Sequence, residues 1–253
     1  MIYIAFLLFT FLIIAFVFYQ SQHLIFFTPT HFREGELGSS CEILSITTDD
    51  GVELEGVSYE PSNAKSTILF FGGREHDSVG LIDRLSSEFK NSRIITFNYR
   101  SYGRSEGKVS EKNMISDALK VAQIVQKNYG DFYILGFSIG ASVAASVASK
   151  HKSLGVFLIG AFDSTTSLAR ARYGIVVSWI LRYKFDNIKF VKSLETPVYM
   201  FSSKSDEVVY IQNARILKNS IKNMAFYQEF DDLSHKELLW SPEVINKING
   251  VVL

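Results

Sequence analysis

Residues 2–19 are apolar almost throughout, with Thr10 the only clearly polar residue and no charge, proline or glycine among them. A soluble helix needs a polar face, and this segment offers none. Its length suits a helix crossing a bilayer core, which takes about 18–20 residues. Tyr3 and Tyr19 stand where interfacial aromatic residues usually do. A cleaved secretory signal is the rival reading. However, no Lys or Arg precedes the apolar run, and the exit, Phe18-Tyr19-Gln20-Ser21-Gln22, offers no small-x-small cleavage site. Residues 1–22 are therefore expected to be an uncleaved single-pass anchor in the lipid bilayer. The first positive side chain is Arg33, so charge gives no clear orientation.

Beyond the anchor the rhythm changes. Residues 42–48 and 52–59 alternate around Asp49-Asp50-Gly51, which predicts a hairpin. Short, β-rich, largely apolar runs at 66–71, 93–98, 131–137, 154–159, 198–202 and 224–230 read as strands covered on both faces. Helical patterns lie between them at 79–90, 111–128, 138–150, 211–218 and 242–252. Strands alternating with helices imply a mostly parallel α/β sheet with an antiparallel hairpin at one edge. Residues 163–192 break the alternation and carry Trp179 among aromatic and basic neighbours, which predicts a helical insertion over the carboxyl edge of the sheet. No repeat or linker divides residues 35–253, which read as one domain.

Composition narrows the function. The formal net charge is zero, so nothing points to nucleic acid or another polyanion. The single cysteine, Cys41, excludes an internal disulfide and a cysteine-based zinc site. No Gly-Lys-Ser/Thr follows Gly72-Gly73, and no Gly-x-Gly-x-x-Gly opens a helix, so nucleotide motifs are missing. No cofactor or metal is expected.

The chemistry gathers around Gly136-Phe137-Ser138-Ile139-Gly140. It joins the strand-like Phe132-Tyr133-Ile134-Leu135 to the small, helix-compatible residues 141–148. Strand, Gly-x-Ser-x-Gly, helix sets a serine on a tight strand-to-helix turn. A serine hydroxyl is a weak nucleophile at neutral pH and needs a general base with an orienting acid. Asp206, after the strand at 198–202, and His235, near the C-terminus, follow in the order Ser, Asp, His.

Each assignment has a competitor. Glu207 adjoins Asp206, although neighbours in an extended loop point apart. His76 follows the Gly72-Gly73 turn and is the main rival to His235, which is expected in a polar loop at 231–236. The turn after the strand at 66–71 can present a backbone N–H to an oxyanion, with Gly73 the first choice and Arg74 the second. The N–H of Ile139, just after the serine, would complete the pair.

These elements together resemble the α/β-hydrolase fold and, within it, the membrane-anchored Bem46-like serine hydrolases. The resemblance includes the anchor, the exit Leu24-Ile25-Phe26-Phe27-Thr28-Pro29, and Asn98-Tyr99-Arg100-Ser101-Tyr102-Gly103-Arg104-Ser105-Glu106-Gly107. That last run is similar to the family's D-Y-R-G-Y-G-x-S-x-G loop and is more specific than the serine motif. The resemblance implies a triad of Ser138, Asp206 and His235, with oxyanion donors at Gly73 and Ile139. Three departures stand out. Phe71-Gly72 replaces a usual His-Gly, Ser202-Ser203-Lys204-Ser205-Asp206 replaces His-Gly-x-x-Asp, and Ser234-His235 replaces Gly-His. The first removes a side-chain contact that would steady the oxyanion turn.

The expected activity is hydrolysis of an acyl ester or thioester, in a small-molecule or acylated-protein substrate, through an acyl-enzyme. A serine peptidase on the same fold and a non-catalytic scaffold that binds a partner are the alternatives. Within 163–192, Tyr173, Ile175, Val176, Val177, Trp179, Ile180 and Leu181, flanked by Arg170, Arg172, Arg182 and Lys184, are expected to form an acyl site under a basic, membrane-proximal surface, with Trp179 the leading substrate contact. An ordinary amphipathic helix packed on the sheet is the competing reading of that segment.

Overall fold

The computed structural model describes residues 2–31, 38 and 40–253. Arg33 and the expected domain start at residue 35 lie outside them. The first element is α1 (Ile2–Phe26). At 1.5 Å per residue it is about 37 Å long, against roughly 30 Å of hydrocarbon in a bilayer. Its most apolar stretch has no buried residue, so it is long and apolar enough to cross a membrane.

The last turn of α1 behaves differently. Gln22 is fully buried, and Phe27, one residue past the helix, is 1% exposed and belongs to the core. Phe27 and Phe26 both pack edge-on against Tyr183. The chain after the helix is tied down by Thr28 N–H to the Arg74 carbonyl and by Gly103 N–H to the Thr30 carbonyl. Residues 22–31 are thus part of the folded body. The free part of the helix ends before Gln22 rather than after it.

Next come the hairpin β1 (Cys41–Thr47) and β2 (Glu53–Tyr59), then β3 (Ser66–Phe71), α2 (Ile82–Glu88), β4 (Ser92–Phe97) and α3 (Glu111–Tyr129). β5 (Tyr133–Phe137), α4 (Ile139–Ala148) and β6 (Gly155–Ile159) follow. The predicted insertion holds α5 (Thr165–Tyr173), α6 (Ile175–Trp179) and α7 (Asn187–Val191). The chain closes with β7 (Val198–Ser203), α8 (Ile211–Ser220), β8 (Met224–Phe230), α9 (His235–Trp240) and α10 (Pro242–Val252).

Among the described residues these strands form one eight-stranded sheet in the order β1-β2-β4-β3-β5-β6-β7-β8. The joints β1–β2 and β2–β4 are antiparallel, and all the others are parallel. Successive residues of β3 feed opposite cores. Leu69 and Phe71 pack with α3 and α4, while Ile68 and Phe70 pack with α2 and α10. That is why these strands read as unbroken apolar runs. The chain runs from β3 to β4 on one side, then returns through β5 to the other side of β3. The crevice at the carboxyl ends of β3 and β5 is therefore the topological switch point, where open α/β sheets take their ligands.

Candidate active site

Ser138 stands immediately after β5, at that crevice. Its backbone has φ 56° and ψ −121°, a conformation L-residues rarely adopt. Such strain persists only where surroundings hold it. Ser138 N–H donates to the Ile159 carbonyl on β6, and the Ser138 carbonyl accepts from Ala141 N–H. The flanking glycines are demanded by distance. A Cβ on Gly136 would lie 2.4 Å from the Gly140 carbonyl oxygen, and one on Gly140 would lie 2.1 Å from that of Phe71. Every residue of α4 behind the turn is buried, which explains its run of alanine, serine and valine. Ser142, the next serine, is sealed inside that helix.

Asp206 follows β7 and is 5% exposed. Its Oδ1 accepts from Val208 N–H at 2.8 Å and Val209 N–H at 2.7 Å. Its Oδ2 meets His235 Nδ1 at 2.7 Å. A carboxylate already accepting two N–H bonds is an acceptor at its other oxygen too, so the ring donates from Nδ1 and leaves Nε2 as the basic position. Nε2 is buried without a protein partner among the described residues. Ser138 and His235 line the same cavity, of about 110 Å³.

His235 is the first residue of α9 rather than a loop residue. Ser234 caps that helix and Glu237 reaches back to the Ser234 N–H, a reciprocal capping box. The signal for it, Ser-x-x-Glu at 234–237, is present in the sequence. Glu207 also touches His235, but its Oε2 accepts from the backbone N–H at 3.1 Å. The ring contact belongs to Asp206, and Glu207 instead places negative charge at the N-terminus of α9.

With that geometry in hand, comparison with known proteins gives a consistent answer. Solved structures of the Pyrococcus furiosus esterase Pf2001 (TM-score 0.68, 17% identity, 89% of this chain and 98% of that one) share the architecture. So does an α/β hydrolase from Vibrio vulnificus (TM-score 0.70, 15% identity, 88% and 97%). In sequence, human alpha/beta hydrolase domain-containing protein 17B is 28% identical over 158 residues, which are 58% of this chain and 52% of that protein. The chain has the α/β-hydrolase fold. An uncharacterized membrane protein of Saccharomyces cerevisiae is 27% identical over 185 residues, 68% of this chain and 65% of its own. The chain spans about half the length of the vertebrate relatives it matches. No family model matches it.

The loop after β3 departs from expectation in this chain. Gly73 does sit beside the serine, since a Cβ there would be 3.6 Å from that of Ser138. Its N–H, however, donates to His76 Nδ1 at 3.1 Å, and His76 N–H returns a bond to the Gly73 carbonyl. The expected Gly73 donor is thus in place but turned to His76. This is the steadying contact that Phe71 does not provide, supplied from three residues downstream. His76 also stacks on Phe137, with ring centroids 5.4 Å apart, and Phe137 in turn packs on His235. Burial pushes the His76 imidazole down to about 4, so it is neutral at physiological pH and able to accept that bond.

The 98–107 loop explains itself through the same turn. Tyr99 donates its hydroxyl to the Gly72 carbonyl at 3.0 Å, and Tyr102 donates to the Arg74 carbonyl at 2.5 Å. Asn98 Oδ1 accepts from Ser78 N–H at 2.7 Å. Arg100 clamps Asp117 and Asp50 with paired bonds of 2.7–2.8 Å, fixing the loop between α3 and the β1–β2 turn. These residues scaffold the turn beside Ser138 and do not line its cavities.

A second cavity, of about 170 Å³, reaches Ser138 from the other side. Its walls are largely apolar and include Ile139, Phe162, Leu168, Tyr173 and, from the N-terminal helix, Ile25 and Phe26. Trp179 is not among them. It is 73% exposed at the end of α6, so its expected role as a substrate contact is corrected. The five-residue α6 turns Ser178 inward and leaves Ile175, Val176 and Trp179 outside.

Proposed function

We propose that this α/β-hydrolase is a membrane-anchored serine hydrolase that cleaves an acyl ester or thioester through an acyl-enzyme. The observation that carries this reading is the position of Ser138, which borders two cavities, one of which also holds His235. The larger, walled mainly by Ile25, Phe26, Ile139, Phe162 and Leu168 with Arg74 and Arg172 beside them, suits an acyl chain. The other contains His235, already bonded to Asp206, and a charged rim of Arg74, Glu75 and Lys236.

His235 Nε2 takes the hydroxyl proton as Ser138 Oγ attacks the carbonyl carbon, and Asp206 stabilises the imidazolium that results. The oxyanion is held by the Ile139 N–H and by a second N–H from the 73–74 turn. With the Gly73 N–H given to His76, the Arg74 N–H is the better second donor. The leaving group receives the proton from Nε2 and departs through the cavity that holds His235. Water then attacks the acyl-enzyme with His235 again acting as base, releasing a carboxylic acid and restoring Ser138. α1 spans the bilayer and tethers the domain.

The test is hydrolysis by full-length protein in detergent of p-nitrophenyl esters and matched thioesters of increasing chain length. The account expects kcat/KM to rise from acetyl to medium chains, by up to about 0.8 kcal/mol per buried methylene. Cleavage of peptides with no ester or thioester turnover would contradict it.

A further inference from the structure

Gln22, three residues past the apolar run at 2–19, is buried rather than facing solvent. Gln22 Nε2 donates to the Ile180 carbonyl at 2.8 Å, and its Oε1 accepts from Arg182 N–H at 2.7 Å. The point where the apolar helix ends is therefore bonded directly to the end of α6. If α1 crosses a bilayer with Tyr19 at its edge, the segment after α6 is held at that same level.

The surface so placed has the composition of an interfacial patch. Tyr173, Ile175, Val176 and Trp179 are 61%, 44%, 51% and 73% exposed, a density of large apolar side chains that water does not favour. Arg170, Arg172, Arg182 and Lys184 flank them and are exposed as well. Arg182 lies over the rings of Tyr19 and Tyr183, joining the helix to the cap through the same side chain. Apolar and aromatic side chains dipping below a ring of arginine and lysine is how amphipathic segments sit at a headgroup layer. The apolar cavity opens toward this side. Two of its wall residues, Ile25 on α1 and Tyr173 on α5, are themselves exposed there.

We propose that α6 and the flanking end of α5 dock on the bilayer surface beside α1, so that the cavity between them is a portal at the membrane. An acyl chain resident in the bilayer enters between Ile25 and Tyr173 and reaches Ser138 without crossing water. The docking follows from the helix–cap bonds. The delivery of substrate rests on the acyl-hydrolase reading of Ser138.

The test uses the full chain reconstituted in phosphatidylcholine vesicles. The chain has two tryptophans, so Trp240→Phe leaves Trp179 as the only one. Trp179 fluorescence should be quenched by lipids brominated along the acyl chain, more strongly when the bromines are near the headgroup end. Absence of quenching would overturn the docking. In the same vesicles, Val176→Glu/Trp179→Glu should lower the ratio of turnover on a long-chain ester embedded in the membrane to turnover on a short soluble ester by tenfold or more. An unchanged ratio would overturn the delivery route even with Trp179 quenched. Quenching does not require catalysis, so a wild-type protein that is quenched but cleaves neither ester contradicts the Ser138 reading while upholding the docking.

Discussion

Ser138 is approached from two sides that are built on different principles. On the β5–α4 side, backbone atoms pack so closely that a single Cβ on Gly140 would come within 2.1 Å of a carbonyl oxygen. Every side chain of α4 is buried there. On the cap side, α6 is one short helix with three of its five side chains outside. That side is held by a few long-range bonds: Gln22 to residues 180 and 182, and Glu111 to the N–H groups of Lys184 and Phe185. The contrast separates two tasks. The proposed nucleophile is held by distances that only particular residues satisfy. The wall of the larger cavity, the proposed acyl site, is assembled from an apolar helix and a cap with apolar exposed faces.

Predictions that test this contrast differ in size. The largest effects belong to the reacting groups. Ser138→Ala and His235→Ala should each reduce ester turnover by about 10³- to 10⁶-fold, because groups acting as a unit fail together. Unchanged circular dichroism would show that the loss is chemical. More than a few per cent of residual activity in Ser138→Ala would mean that another nucleophile acts. Next comes the acid. Asp206→Asn should cost on the order of 10²- to 10⁴-fold by favouring the wrong imidazole tautomer. Glu207→Gln, which touches only the His235 backbone, should cost far less. A larger loss in Glu207→Gln than in Asp206→Asn would reverse the assignment.

The helix–cap contacts should appear in stability before they appear in chemistry. Removing residues 2–21 takes away the mostly exposed helix and the Tyr19–Arg182 contact but keeps Gln22 and Phe27, and should leave soluble-ester turnover within about twofold. Removing residues 2–27 also strips Gln22 and Phe27, costing about 3–5 kcal/mol from one buried aromatic and two buried hydrogen bonds. Thermal unfolding of the two truncations compares them directly, and equal midpoints would show that residues 22–27 are not part of the folded body.

The smallest effect is that of His76. Its folded pKa, about 4, lies below the unfolded value near 6.5, so the unfolded chain binds the proton first as the solution is acidified. Its contribution is fully present above pH ~6.5 and is lost as pH falls toward ~4, by about 1–3 kcal/mol. His76→Gln should flatten the dependence of urea stability on pH across that window. A variant with the wild-type slope would place the titration elsewhere.

How far each side was legible follows from the range of its interactions. The nucleophile turn is local, so five consecutive residues announce it, and the chain order of Asp206 and His235 agreed with the contacts found. The position of His235 at a helix start is also a local signal, in Ser234 and Glu237, although the polar run at 231–236 makes the short α9 look like loop. The cap was harder. Apolar spacing around Trp179 indicated a hydrophobic surface without saying whether it faced the cavity or the outside, and the answer depends on Gln22, more than 150 residues away. By sequence position alone His76 is a rival base. Its actual partner, the Gly73 N–H, depends on how the turn closes, which residue order alone does not encode.

The central claim, that Ser138 is an activated nucleophile, is tested most directly by covalent labelling of the full-length protein with a fluorophosphonate, followed by mass spectrometry of the digested adduct. The account predicts one adduct per chain, on Ser138, absent from Ser138→Ala and strongly slowed in His235→Ala. A folded wild-type protein that takes up no label, or carries it on another residue, would contradict it.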